Sequence, residues 1–155
     1  MTAQSPFPDD PDRAFIWDML MPRDFKAFAA QDWGMVSGDF DAGRFLGIHA
    51  HNSPNQDDWD AAFPTLDAYR DEWLRQAADS AKIAYGEPLV PALLRAVSMD
   101  RIDINGDVAV AHKKFDGTVK LAGGGVDRLN WQTLYFCRKS DRWRITGFIG
   151  YMKYR

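Results

Sequence analysis

The spacing of hydrophobic positions changes along the chain, from helical periods in the first half to alternation in the second. After Asp12, a candidate cap, Phe15, Ile16, Met19 and Leu20 share one helical face. Pro22 ends that segment or starts the next. A helix is predicted from about Arg23, with Pro22 in its first turn, Asp24 near the positive end of its dipole, and Phe25, Phe28 and Ala29 at helical spacing. Asp32 reads as the cap of a short helix ending near Gly38, with a buried catalytic carboxylate as the alternative. Arg44 to His51 alternates as a short strand: Phe45, Gly47, His49 and His51 share one face, and Leu46, Ile48 and Ala50 the other. Asn52 to Asp60 reads as a polar loop. The clearest helix begins after Thr65, with Leu66, Tyr69, Trp73, Leu74, Ala77 and Ala81 in one apolar stripe.

The remainder reads as β. Leu93–Ile104 and Val108–Phe115 flank Asn105-Gly106, a strong hairpin signal. Asp127–Lys139 and Arg142–Lys153 flank Ser140-Asp141, a second hairpin. Gly117–Val126, with Gly123-Gly-Gly125, reads as a flexible connection at a pocket mouth. A two-residue loop at Ser140-Asp141 puts Asn130, Gln132, Leu134 and Phe136 on the face of Trp143, Ile145, Ile149 and Tyr151, which is the expected core face. The opposite face carries Trp131, Tyr135 and Phe148 and is the expected surface for a homodimer. In the first hairpin either face can look inward. One carries Val97, Met99 and His112. The other carries Asp100, Ile102 and Phe115, and would bury Asp100 as a carboxylate of raised pKa.

The order of elements is that of an α+β domain, with a curved, antiparallel-rich sheet wrapped around one long amphipathic helix. Residues 1–21 read as an N-terminal extension and residues 22–155 as a single domain. A chain of 155 residues with 46% apolar and 26% charged residues suits one globular unit. Net charge is −3, and the cations of residues 101–155 are interleaved along strands. Nucleic-acid binding needs a clustered stripe of cations, so no nucleic acid is expected. No signal peptide and no run of about 18 apolar residues is visible, so neither a membrane span nor export is expected, and a cytoplasmic protein is. The single cysteine, Cys137, excludes an internal disulfide and reads as packing.

Candidate chemistry is concentrated in a few places. His49 and His51 sit two apart on a strand and face one way, a geometry suited to acid–base work at neutral pH. No third ligand accompanies them, so no metal and no cofactor is expected. Asp100 is the third catalytic candidate. Trp33, Trp59, Tyr69 and Trp73 lie on or beside the helical wall. Asn130, Gln132 and Tyr151 are polar groups on the expected inner sheet face. Together these seven are the candidate ligand-binding residues of an apolar pocket.

Several marks resemble the nuclear transport factor 2-like superfamily across residues 22–153. They are Asp32-Trp33 with Phe40, Phe45-Leu-Gly, the long helix carrying Tyr69 and Trp73, and Trp143-Arg-Ile145 on the last strand. The resemblance implies a cone with one internal pocket between sheet and helices, and homodimerisation through the sheet. It implies no single activity, since that superfamily contains isomerases, dehydratases, cyclases, hydrolases and simple binders. The expected function is binding of an unknown small molecule, with lyase or isomerase chemistry by proton transfer from His49, His51 or Asp100. The alternative is a non-catalytic binding or dimeric interaction module using the same pocket.

Overall fold

A computed structural model of the protein describes residues 4–155. Helices α1 (Pro11–Leu20) and α2 (Pro22–Ala29) come first, followed by single-turn 3-10 segments at Trp33–Met35 and Ser37–Asp39. Next are strands β1 (Leu46–His49) and β2 (Asp60–Phe63), then helices α3 (Leu66–Ala81) and α4 (Leu89–Ala96). Strands β3 (Val97–Asn105), β4 (Val108–Lys120), β5 (Val126–Lys139) and β6 (Trp143–Met152) complete the chain. All six strands form one curved, unclosed sheet in the order β2-β1-β6-β5-β4-β3. Strand β1 runs parallel to β6, and the other pairs are antiparallel. The expected α+β architecture is therefore present, with the helices held against one face of the sheet.

Helix α3 begins as its sequence dictates. The Thr65 hydroxyl accepts from Ala68 N–H, and Trp73 and Ala77 are buried. Helix α1 is capped by Asp10 rather than Asp12. Asp12 instead accepts hydrogen bonds from Lys139 and Trp143. In the expected N-terminal extension, Ile16, Trp17, Met19, Leu20 and Met21 are buried in the common core. The first three residues of the expected extension lie outside the described residues. Asp32 is exposed and makes no side-chain cap bond.

Two elements differ in type from expectation. Leu93–Ala96, read as strand, ends helix α4, where Pro91 sits in the first turn and its missing N–H costs nothing. Residues 117–120, read as loop, continue β4.

The largest correction concerns sheet faces, and it has three local causes. The β5–β6 connection has three residues, because Lys139 pairs with Trp143 and Cys137 with Ile145. One additional loop residue flips every side chain of β6 relative to β5. Two register shifts within this pair then add bulges. One lies at Gly147, where a Cβ would collide with the Leu46 carbonyl. The other brings Tyr151 to a φ of 56°, a left-handed conformation unusual for a bulky residue. As a result Trp143, Ile145, Phe148 and Gly150 are all buried, on the side of Tyr135 and Cys137. Trp131, Tyr135 and Phe148, expected on a dimer surface, face the interior.

A third bulge, between Ser98 and Arg101 of β3, turns Val97, Met99 and Ile102 inward together. Neither strict alternation in the first hairpin therefore holds. Asp100 is exposed, not a buried carboxylate, and His112 points outward to Asp103.

Candidate functional site

Between α3 and the concave sheet lies a cavity of about 270 Å³. Its walls are mostly aromatic: Phe28, Tyr69 and Trp73 from the helices, with Phe115, Trp131, Tyr135 and Phe148 from the sheet. Phe115 and Trp131 stack across β4 and β5 at 4.7 Å between ring centroids. Tyr69 packs against Phe148 at 4.9 Å. These rings converge because alternate inward positions of β4 and β5 meet one stripe of α3.

One side of the cavity carries a buried ion pair. The alternation Ala109, Ala111, Lys113, Phe115 on β4 places a lysine where an apolar residue is the rule. Lys113 Nζ donates to the Leu20 carbonyl at 2.5 Å and to Asp24 Oδ2 at 3.2 Å. It also lies 4.5 Å from the centre of the Phe25 ring, a cation–π contact. Burial pushes the Lys113 ammonium below its ordinary pKa, and the Asp24 carboxylate works against that shift. The pair is asymmetric. The Lys113 side chain is 1% exposed, whereas that of Asp24 is 25% exposed and borders the cavity. Asp24 Oδ1 also accepts from the Trp73 indole N–H at 3.3 Å. Two accepted bonds leave a carboxylate with further lone-pair sites for a visiting donor.

Tyr69 and Tyr135 supply hydroxyls to the same space. Burial, chiefly, raises both phenols well above their ordinary pKa, with additional influence from each other and from Asp24. Both therefore stay protonated, as donors, at neutral pH. Farther along α3, Gln76 donates to the Tyr151 hydroxyl at 2.5 Å and to Glu72 at 2.9 Å. Ser80 and Tyr85 share a hydrogen bond of 2.8 Å near the opening, where Ile83 is exposed.

Of the seven candidate binding residues, Tyr69, Trp73 and Tyr151 line this cavity. Trp33 stands behind the wall, stacked on Phe40 and edge-on to Trp73. Trp59 folds back on its own loop through an indole bond to the Ser53 carbonyl. Asn130 and Gln132 lie on the outer sheet face and hold the C-terminal segment, donating to the Arg155 and Lys153 carbonyls. They are corrected from pocket wall to tail anchor, because the flipped register points them away from α3.

The histidines lie one layer out. His49 stacks on Tyr151 at 4.3 Å and on His51 at 4.1 Å, so Tyr151 stands between it and the cavity. His49 Nδ1 accepts from the His51 backbone N–H. Burial, then the nearby His51, lowers its pKa. His51 Nε2 lies 3.1 Å from Asp60 in an exposed turn. Among the described residues no three His, Cys, Asp or Glu side chains converge as a metal site. Burial drives the Cys137 thiol up to about 12, which leaves it a packing group.

Sequence reasoning missed Asp24, Lys113 and Tyr135, and with them the wall rings Phe28, Phe115, Trp131 and Phe148. Asp24 reads as a helix-dipole partner, and only Lys113 carried a signal, a cation at an apolar strand position.

No protein-family model matches the chain, and no curated protein sequence matches it. Solved structures do. A domain of unknown function with a cystatin-like fold from Nostoc punctiforme is 14% identical, with a TM-score of 0.59 over 93% of this chain and 78% of that one. An NTF2-like protein with a cystatin-like fold from Novosphingobium aromaticivorans is 13% identical, with a TM-score of 0.55 over 92% and 81%. An NTF2-like protein of unknown function from Shewanella oneidensis is 12% identical, with a TM-score of 0.55 over 87% and 94%. The order of elements, the curved sheet and these likenesses agree, and the chain has the cystatin-like fold of the NTF2-like proteins.

Proposed function

We propose that the protein binds a small, largely apolar molecule in the aromatic cavity and transfers a proton on it, with Asp24 as the base. One observation carries this reading: both members of the pair line the cavity, and the carboxylate is the exposed one, 25% against 1% for the lysine. Lys113 holds the charge of Asp24 in place, and Trp73 orients its other oxygen. A C–H beside a ligand carbonyl gives its proton to Asp24. The bonding pair becomes an enolate, whose oxygen takes hydrogen bonds from the Tyr69 and Tyr135 hydroxyls. Return of the proton to another carbon completes an isomerisation. Alternatively, protonated Asp24 gives that proton to a β-hydroxyl, the enolate pair forms the new C=C bond as the C–O bond breaks, and the hydroxyl leaves as water, which completes a lyase reaction. His49, His51 and Asp100 have no place in this scheme, because none borders the cavity.

The test uses 4-phenylcyclohexanone in deuterated water, with exchange at the carbons beside the carbonyl followed by NMR. The protein is expected to accelerate exchange at least tenfold over an Asp24→Asn variant that still binds the ketone. Equal rates with the ketone bound leave a carrier without chemistry, the alternative reading. Native mass spectrometry of the purified protein identifies any molecule that it retains.

We also propose that two copies pair through the outer sheet face, on a different set of side chains from those expected. Leu46 is 45% exposed there, beside outward-facing Ile48, Val110, Leu134, Phe136 and Ile149. A contiguous apolar patch of this kind is unusual on a monomer. Sedimentation is expected to show a dimer at micromolar concentration, and Phe136→Glu a monomer. A wild-type monomer overturns it.

A further inference from the structure

Granted that the cavity is the ligand site, as proposed above, its charges and donors narrow the ligand class. We infer that the site takes uncharged, ring-bearing molecules that present one hydroxyl to Asp24, and that it turns carboxylates away.

Three observations converge. The first is size. A volume of about 270 Å³ falls just below the roughly 300–1,000 Å³ of most small-molecule pockets. It suits two rings better than four.

The second is the sign of the accessible charge. The lysine, the one cation among the lining residues, has its ammonium committed to the Leu20 carbonyl and to Asp24, with 1% of its side chain exposed. A ligand anion therefore finds no free cation. It meets instead the carboxylates of Asp24 and Asp127 and the electron-rich faces of the rings. Desolvating a carboxylate among such groups without a partner is costly.

The third is hydrogen-bond capacity. Asp24 has lone pairs left after the bonds from Lys113 and Trp73. A hydroxyl fills that vacancy as donor and can in turn accept from a tyrosine hydroxyl. An ether of the same shape cannot donate. A full ammonium group satisfies Asp24 too, but brings a second positive charge beside Lys113.

The experiment needs no mutation. Calorimetric titration of the full chain compares 4-phenylphenol, 4-methoxybiphenyl, biphenyl-4-carboxylate and biphenyl-4-ylmethylammonium. The phenol is expected to bind at least tenfold more tightly than each of the others. Comparable binding of the ether or the carboxylate, or tightest binding of the ammonium, overturns the inference and leaves the cavity as a ligand site. No binding by any of the four overturns the cavity reading as well. A second arm uses the double variant Asp24→Asn, Lys113→Met, which removes both charges together and leaves neither unpaired. With near-ultraviolet circular dichroism like that of the wild type, it is expected to narrow the discrimination between phenol and carboxylate at least threefold, with the remainder due to Asp127 and to desolvation. If the discrimination is unchanged, the selection does not come from Asp24 and the inference falls.

Discussion

Two clusters of titratable side chains lie within one layer of each other, and they behave in opposite ways. His49 and His51 are two residues apart, at the end of β1 and in the turn after it, and look like chemistry, yet Tyr151 stands between His49 and the cavity. Asp24 and Lys113 are 89 residues apart, look unremarkable where each stands in the chain, and meet at the cavity wall. Nearness in sequence signals a shared face and nothing about what that face borders. A charged residue on an apolar alternation is the better clue, because it must find a partner on another element.

The largest expected effect breaks the pair at Asp24 alone. Asp24→Asn leaves Lys113 buried without its counter-charge and is expected to cost about 3–5 kcal/mol in urea unfolding. Lys113→Met leaves a partly hydrated carboxylate instead and is expected to cost clearly less. The double variant should lie near the single Lys113→Met. If Asp24→Asn proves the milder single change, the pair is not held by its buried lysine and the contrast between the clusters weakens.

A smaller effect is expected at the stack. His49→Ala removes ring contacts on Tyr151 and is expected to cost roughly 0.5–1.5 kcal/mol of stability. Affinity for 4-phenylphenol should stay within about twofold, since His49 lies outside the cavity. A tenfold loss would show that the stack controls the wall through Tyr151, whose φ of 56° makes it the strained residue of that wall.

The smallest effect is one of pH. Burial holds the His49 imidazole below its ordinary pKa of 6.5, so the unfolded chain takes up this proton more readily than the folded one. The group contributes nothing to the pH dependence well above pH 6.5 and becomes destabilising as the pH falls from there. His51 adds to the shift, while Asp60 and Glu72 oppose it. Between pH 7 and pH 5.5 the wild type is expected to lose slightly more stability than His49→Gln. Superimposable thermal profiles would show that His49 titrates as freely as in the unfolded chain.

Much of the fold was legible, and the reasons are local. Thr65 caps α3, the Leu66 to Ala81 stripe forms it, and the first hairpin turns where Asn105-Gly106 signals it, one residue on, through Gly106-Asp107. Each is a short-range rule that neighbouring residues satisfy by themselves. The site was less legible because it depends on register. Strict alternation from a two-residue turn pointed Asn130 and Gln132 inward and Trp131, Tyr135 and Phe148 outward. One additional residue between Lys139 and Trp143 reverses that assignment, and bulges at Gly147 and Tyr151 then keep β6 inward at every level of the cavity. The bulge between Ser98 and Arg101 does the same for β3 and exposes Asp100.

By itself the sequence determined the class of fold, the helix that crosses the sheet, and the aromatic character of whatever space lies between them. Those follow from composition and periodicity, which act over a few residues. Only the tertiary structure decided which rings line the cavity, that α1 belongs to the core, and that Asp24 meets Lys113. Each of these depends on a strand register or on a contact across most of the chain. A shift of one residue in register turns a side chain from one face to the other, and that choice is made by the packing of the whole sheet against its helices.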